Sequence, residues 1–367
     1  MKHASLVLSS FVCAAAISWA PTVLACGGFT EAQRVGTVDE SAIIVFDKTK
    51  QEERFIRRAS FDTHDVSGKT VGFIVPTPNK PELEEVDNAV FATLETRLQE
   101  HYDEEAAKSS HGGDGGFGCG SDAAEAGNDG VGNLRGGVQV VEEKRLAGQD
   151  ATVLLATDAD ALSAWLERNG FTLDSAMRDY LATYVEADAG WHFTAFRYDP
   201  AAADAKQVDT KAVSMRFSTP RAFYPYREAP TAASDNGRSL RVFTLASAPL
   251  RGMFDVDEAC LARGSGCPTV WDAERLWATR IDDAFAAKLA PLGALPSTAT
   301  LTIYEDRSNP RIGLWDLAFE ENADLLTPTS TIAPLSGLVG SPLPLLALAA
   351  WLQRRKRSKT GEAPQSL

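Results

Sequence analysis

Short apolar runs along the chain predict most of its strands, because several of them are rich in Ile, Val, Phe and other residues that favour strands. The predicted strands are Ser41–Asp47, Glu52–Ser60, Thr70–Val75, Gly137–Ala147, Ala151–Thr157, Trp191–Tyr198, Val213–Ser218, Leu240–Leu245 and Ala299–Tyr304. The segment Arg221–Arg227, with Phe223, Tyr224, Pro225 and Tyr226, is predicted to be an edge strand or an ordered loop.

Apolar residues at helical spacing predict four helices. The first begins near the candidate cap Asn79 and ends near Ala107, with its apolar positions at Leu83, Val86, Val90, Leu94 and Leu98. The second follows a capping pattern at Thr157–Asp160, buries Leu162, Trp165 and Leu166, and stops at Asn169-Gly170. The third is capped by Asp174, with apolar positions at Met177, Tyr180, Leu181, Tyr184 and Val185. The fourth follows a capping pattern at Thr269–Asp272, with apolar positions at Trp277, Ile281, Phe285 and Leu289.

The order of these elements indicates the fold class. Strands and helices are mixed without regular β-α-β alternation, so we expect an α+β fold with mixed or antiparallel sheets and several amphipathic helices. A length of 367 residues with 44% hydrophobic content is enough for a large core. The predicted body has an N-terminal part, residues 26–107, and a main part, residues 138–330. Residues 108–137, rich in Gly and acidic residues, are predicted to be a mobile loop between them.

Residues 1–25 are typical of a signal peptide. Lys2 and His3 give a basic start, Leu6–Ile17 is an apolar run, and Val23-Leu24-Ala25 ends in the small residue that a signal peptidase requires. Cys26 would directly follow the cut. Whether Cys26 is lipidated or bonded in a disulfide stays open, although Leu24 fits a lipid-attachment motif poorly.

The C-terminal end combines a hydrophobic segment, residues 335–352, with a basic tail, residues 353–367. At about 1.5 Å per residue, a helix over the hydrophobic segment would barely cross the hydrocarbon layer. Pro342 and Pro344 weaken such a helix. Because basic residues remain on the cytoplasmic side, we expect an extracytoplasmic body anchored to the cell membrane or envelope. A cleaved sorting tail and a surface tail are the alternatives.

Charge limits the class of partner. The net charge is −14 and the pI is near 4.9, which argues against nucleic acid, since a nucleic-acid binder needs a basic face. The two ends of the chain carry a net charge of +5, so the body carries −19, is more acidic than the whole chain and repels anionic surfaces. The expected partners are the membrane, through the C-terminal segment, and an unknown component of the cell envelope.

Four cysteines remain once Cys13 leaves with the signal peptide, and an even number in an exported chain suggests two disulfides. Cys260 and Cys267 bracket a short loop that can close locally. We therefore predict the bridges Cys260–Cys267 and Cys26–Cys119. If Cys26 carries a lipid instead, Cys119 is left without this partner. The spacings favour neither a redox motif nor a zinc site.

Four segments in order resemble one bacterial family. They are Ala25–Phe29, Gly72–Pro78, Ala156–Leu162 with Trp165-Leu166 and Asn169-Gly170-Phe171, and Arg216–Pro220 with Tyr224–Arg227. Together they span roughly residues 25–305 and resemble the bacterial domain-of-unknown-function family numbered 2330. The resemblance implies an exported protein, often with a hydrophobic and basic tail. It implies no established activity and no catalytic residues.

Two nucleotide-binding patterns are present only in part. Ser67-Gly68-Lys69-Thr70 ends like a phosphate-binding loop, but Thr63 stands where the first Gly should be, and the segment leads into a strand. A hairpin turn is the preferred interpretation. Gly113, Gly115 and Gly118 match a dinucleotide fingerprint by letters alone, with no strand before them. No cofactor is expected.

Histidine and acidic residues form no complete catalytic or metal motif. The histidines beyond the signal peptide are His64, His101, His111 and His192. His101 and His111, with Asp114, form at best a weak metal site, and His192 is expected to pack within its aromatic strand. Asp255, Asp257 and Glu258 lack the full pattern of a calcium loop, so a solvated acidic turn is predicted. Catalytic residues stay unknown, and no metal ligands are predicted.

Two functions remain open. The favoured one is a non-enzymatic extracytoplasmic binding or structural domain, for which we expect an exposed aromatic patch near Tyr224 and Tyr226. The alternative is an exported hydrolase with a site assembled from dispersed residues. For that function we expect a deep pocket containing a histidine or paired carboxylates with shifted pKa values. A calcium-stabilised surface protein is a third, narrower hypothesis.

Overall fold

The computed structural model of the chain describes a defined set of segments. They are residues 28–30, 34–35, 37–62, 71–109, 137–187, 190–198, 207–209, 212–227, 239–263, 267–308 and 313–326. The predicted signal peptide, the hydrophobic segment, the basic tail, nearly all of the Gly-rich loop and both partial nucleotide-binding patterns lie outside them. Among the described residues, no helix combines the length and apolar character needed to cross a membrane.

Strands make up most of the described structure. In chain order they are β1 (Gly28–Thr30), β2 (Arg34–Val35), β3 (Thr37–Asp47), β4 (Glu52–Asp62), β5 (Val71–Thr77), β6 (Glu82–Val86), β7 (Val138–Leu146), β8 (Gln149–Ala156), β9 (His192–Tyr198), β10 (Gln207–Asp209), β11 (Ala212–Ser218), β12 (Ala222–Tyr224), β13 (Ser239–Ala246), β14 (Leu250–Phe254), β15 (Glu274–Arg280), β16 (Thr300–Asp306) and β17 (Leu317–Glu321). The helices are α1 (Ala89–Ser109), α2 (Ala159–Arg168), α3 (Ser175–Ala187), α4 (Glu258–Arg263) and α5 (Asp283–Lys288).

These strands form three sheets. The six-stranded sheet has the order β2-β1-β5-β9-β8-β7 and is antiparallel throughout. The eight-stranded sheet has the order β15-β16-β13-β3-β4-β11-β6, with β10 added on β4, and it is mixed because β13 runs parallel to β3. The three-stranded sheet is β12-β17-β14. The predicted α+β class with mixed and antiparallel sheets is confirmed.

The two large sheets form the middle of four layers, as alternation along β3 shows. Ala42, Ile44 and Phe46 pack in one cluster with Phe73 and Phe196 of the six-stranded sheet, so this cluster lies between the sheets. The intervening residues of β3 point to the opposite face, where they pack against α1 and α5. The outer face of the six-stranded sheet packs against α2 and α3. Each of the two large sheets is therefore covered on both faces.

The first predicted helix is wrong in its first part. Leu83 and Val86 lie on β6, which pairs with β11, and α1 begins only at Ala89. Residues three apart share one side of a helix but lie on opposite faces of a strand. Here Leu83 packs between the sheets and Val86 packs beneath α1, so both are buried. The spacing alone fits either structure, and pairing with a distant strand decides it.

The fourth predicted helix is also largely a strand. Trp277 lies on β15, which pairs with β16, and the Thr269–Asp272 pattern precedes this strand. The helix is limited to the short α5, where Asp282 Oδ1 accepts a hydrogen bond from the N–H of Phe285 at 2.7 Å. β17 was not predicted. It forms the centre of the three-stranded sheet and places Asp316, the residue just before it, beside the site described next.

Candidate functional site

Four buried carboxylates hold segment 222–227, whose sequence is Ala-Phe-Tyr-Pro-Tyr-Arg. Two of them come from the eight-stranded sheet. Glu53 on β4 accepts a hydrogen bond from the N–H of Phe223 at 2.7 Å, and Glu40 on β3 accepts one from the hydroxyl of Tyr224 at 2.8 Å. Burial raises the pKa of Glu53 well above its usual range. Both carboxyl groups thus supply acceptors to polar groups that have left water.

The other two carboxylates stand at the end of β16 and just before β17. Asp306 Oδ2 accepts a hydrogen bond from the hydroxyl of Tyr226 at 2.5 Å. Asp316 Oδ1 accepts two, from the N–H of Arg227 at 2.9 Å and from the hydroxyl of Tyr184 on α3 at 2.9 Å. These contacts fix the end of the segment against α3, and they set the position of the Arg227 side chain.

A cleft of about 280 Å³ opens at this end of the segment. Its apolar wall includes Trp191 and Phe223, with Tyr184 and prolines nearby, and the ring centroids of Trp191 and Phe223 lie 5.5 Å apart. Its polar lining consists of Thr183, Thr219, Arg221, Arg227, Asp255 and Asp316. The volume lies near the lower end of the range of small-molecule sites.

The charged groups of the cleft form two pairs of different character. At the rim, Arg221 Nη2 lies 2.9 Å from Asp255 Oδ1, and both side chains are about half exposed. In the floor, Arg227 Nε lies 4.0 Å from Asp316 Oδ2, too far for a hydrogen bond. The Arg227 guanidinium lies over the ring of Tyr184, 5.2 Å from its centroid. The cleft therefore presents both signs of charge beside an aromatic wall.

Burial raises the pKa of Asp316 from its usual 3.8 to about 6, with a small further contribution from the charge of Asp255. The charge of Arg227 and the two hydrogen bonds to Oδ1 act in the opposite direction. Burial also raises the pKa of Tyr184 well above its usual value, and the nearby charge of Asp316 adds to this effect. Tyr184 is thus a neutral donor, whereas Asp316 changes charge in mildly acidic solution.

The expected exposed aromatic patch near Tyr224 and Tyr226 is wrong. Their exposed fractions are 0% and 2%, because their hydroxyls are bonded to Glu40 and Asp306 in the interior. An aromatic residue with a polar end can be fully buried when that end has a partner.

Of the histidine and acidic residues singled out from the sequence, Asp255 lines the cleft, whereas His101, His192 and Asp257 have partners elsewhere. His101 stacks on Trp277 with 4.3 Å between ring centroids, and His192 Nδ1 lies 2.9 Å from the carbonyl oxygen of Gly190. Asp257 Oδ1 accepts a hydrogen bond from the Cys260 N–H at 2.6 Å, which caps α4. In the described segments, no group of three or more His, Cys, Asp or Glu residues is placed to hold a metal ion. His64, His111 and Asp114 lie outside them.

Cys260 and Cys267 form a disulfide whose Cα atoms are 5.5 Å apart. Cys26 and Cys119 lie outside the described residues, so the second bridge stays a prediction. The cleft residues Arg227, Asp255 and Asp316 were not predicted to form one site. The available signal was a single acidic residue, Asp316, directly before an apolar strand.

Comparison with known proteins gives one family. The family model described as "Uncharacterized protein conserved in bacteria (DUF2330)" matches residues 20–309. No curated protein matches the chain. The crystal structure of baculovirus P35 aligns with 78% of this chain and 97% of that chain, at 9% sequence identity and a TM-score of 0.35. A likeness this weak supports no conclusion about fold or function.

Proposed function

This chain belongs to the DUF2330 family of uncharacterised bacterial proteins, and we propose that it is an exported, membrane-tethered domain that binds a ligand without catalysing its conversion. The cleft carries the proposal. It places Arg227 and Asp316 in a fixed floor, with Trp191 and Phe223 in an apolar wall. Small-molecule sites commonly combine a mostly apolar lining with a few convergent polar groups.

The polar lining favours binding over catalysis. Its described members include two aspartates that each lie next to an arginine, an arrangement that suits ion pairing with a charged ligand. One oxygen of Asp316 already accepts two hydrogen bonds, which hold Arg227 and Tyr184 in place. The exposed pair Arg221–Asp255 can exchange partners at small cost, because such pairs contribute only about 0–1 kcal/mol.

Export is supported by both ends of the sequence and by one disulfide. The sequence of residues 1–25 is typical of a signal peptide, and residues 335–367 combine a hydrophobic segment with a basic tail. The Cys260–Cys267 disulfide fits an oxidising compartment, where such bridges persist.

Cell fractionation followed by mass spectrometry of the recovered chain tests export and tethering. We expect a membrane-fraction product that begins at Cys26, contains the Cys260–Cys267 bridge and retains residues 353–367. The same spectra would report a lipid on Cys26 or a bridge to Cys119. An unprocessed chain with reduced thiols in the soluble cell interior would refute export.

A hydrolase is the second candidate, and the buried carboxyl group of Asp316 in the cleft favours it. A carboxyl group with a pKa of about 6, as at Asp316, is suited to general acid-base catalysis near neutral pH. Chromogenic esters, phosphates and glycosides would be assayed with the purified protein and with Asp316→Asn. Turnover that the substitution abolishes would favour the hydrolase, whereas saturable binding of an unchanged ligand would favour the binding domain.

A further inference from the structure

We propose that the cleft binds an α-amino acid with an apolar or aromatic side chain, through its ammonium and its carboxylate together. This inference rests on the proposed binding function and names the ligand class. Three features carry it: an incompletely bonded carboxylate in the floor, an oriented guanidinium beside it, and the aromatic wall.

Asp316 is the proposed partner of the ligand ammonium. Its side chain is only 6% exposed, and Oδ1 already accepts two hydrogen bonds. Arg227 Nε lies 4.0 Å from Oδ2, beyond hydrogen-bond distance, and this Nε is buried without a hydrogen-bond partner among the described residues. A nearly buried carboxylate oxygen without a donor is unfavourable, so a ligand N–H that reaches it gains a charge-assisted bond.

Arg227 is the proposed partner of the ligand carboxylate. Its main-chain N–H is fixed by Asp316, and one face of its guanidinium lies against the ring of Tyr184. The N–H donors of a guanidinium lie in its plane, so stacking on a ring leaves them available at the edge. A planar carboxylate accepts two parallel hydrogen bonds from such an edge. At the rim, Arg221 adds a second cation if it leaves Asp255.

The spacing of the two groups selects a zwitterion. Arg227 Nε and Asp316 Oδ2 are 4.0 Å apart, and an α-amino acid carries its two charges on groups attached to one carbon. A ligand of single charge would satisfy one of these residues and meet the like charge of the other. The positive charges of the two cleft arginines also balance the negative charges of the two cleft aspartates, so the cleft favours a ligand without net charge.

The aromatic wall selects an apolar side chain. Trp191 packs edge-on to Tyr184, with ring centroids 4.8 Å apart, and beside Phe223. These rings are held from behind by the core, so they form a fixed surface. Contact with an apolar group gains about 25 cal/mol for each Å² removed from water.

Isothermal titration calorimetry of the purified protein with intact disulfides tests the assignment. The probes are L-phenylalanine, phenylalaninamide without the carboxylate, N-acetylphenylalanine without the ammonium, and the dipeptide Phe-Phe with its charges further apart. We expect saturable binding of L-phenylalanine at one site, and binding at least about tenfold weaker for each other probe, since one charged hydrogen bond is lost or misplaced.

Two cleft variants locate the contacts. Arg227→Gln should weaken the affinity for L-phenylalanine about tenfold but leave the affinity for phenylalaninamide unchanged, because that probe has no carboxylate. Asp316→Asn should also weaken the affinity for L-phenylalanine about tenfold but leave the affinity for N-acetylphenylalanine unchanged, because that probe has no ammonium. Arg145→Gln, in the exposed pair with Asp150, is the control and should bind like the wild type. Equal affinity for all four probes, or no binding of L-phenylalanine, would overturn the assignment even if a variant failed to fold. Failure here leaves the export test unaffected, whereas turnover of a hydrolase substrate would refute the binding function itself.

Discussion

The pH dependence of stability tests the buried state of Asp316. Burial raises the pKa of this carboxyl from 3.8 to about 6 in the folded chain. In the unfolded chain the carboxyl keeps its usual pKa, so the folded state binds the proton more tightly than the unfolded state does. The contribution to the free energy of unfolding is therefore full below about pH 3.8 and is lost as the pH rises through about 6. At about 1.4 kcal/mol for each pKa unit, the whole loss is about 3 kcal/mol.

Asp316→Asn removes this titration and keeps an oxygen that can accept from Tyr184 and Arg227. Urea unfolding at intervals from pH 4 to pH 7 would measure the free energy of unfolding for both proteins. The variant should gain about 2 kcal/mol relative to the wild type across that range, because the wild type alone loses the proton. Asp150→Asn, at an exposed ion pair, is the matched control. A difference between wild type and Asp316→Asn that stays constant with pH would refute the reasoning.

Three further substitutions test the packing. Gly293→Ala should lower the free energy of unfolding by about 2 kcal/mol, since its φ of +78° and ψ of −160° suit only glycine and the end of the Arg54 side chain would have to move. Gly170→Ala, with φ +88° and open space, should lower it by only about 1 kcal/mol in the same urea titration. Glu53→Gln should change stability at neutral pH by less than about 1 kcal/mol, because burial favours the neutral acid, whereas Glu53→Ala should cost about 2 kcal/mol or more by denaturant unfolding. Cys260→Ser should lower the free energy of unfolding by about 2 kcal/mol, and a reductant should then lower the melting temperature of the wild type by more than that of the variant.

Local signals were sufficient where an element is determined by its own residues. The helices α2 and α3 follow their predicted limits because each begins at an aspartate that bonds the first turn. Asp158 Oδ1 accepts from the Ala161 N–H at 2.7 Å, and Asp174 Oδ1 accepts from the Met177 N–H at 2.9 Å. The cap of α2 is Asp158, one residue after the predicted Thr157. The strands β7 and β8 were also predicted from their own residues, and they pair with each other as neighbours in sequence.

Local signals failed where a distant strand decides the structure. β6 and β15 carry apolar residues at spacings that suit a helix, yet each completes an edge of the eight-stranded sheet. The partner of β6 is β11, with Leu83 opposite Met215. Strand pairing and a helix both satisfy the backbone N–H and C=O groups of such a segment. Whether the segment forms a helix or a strand therefore depends on an available sheet edge, which the local sequence does not reveal.

The site depends on long-range pairing in the same way. Glu40 and Glu53 come from one region of the chain, Asp306 and Asp316 come from a distant one, and the two regions meet around segment 222–227. A tyrosine in an apolar segment needs an acceptor if it is buried, and a single acidic residue beside a buried strand needs a donor. Because this sequence contains both such tyrosines and such acidic residues, a buried network of hydrogen bonds between them is expected. Which carboxyl group meets which hydroxyl does not follow, because each hydroxyl could donate to any of these carboxyl groups until the sheet order is fixed. The cleft therefore emerges from topology, although the residue types that build it are present in the sequence.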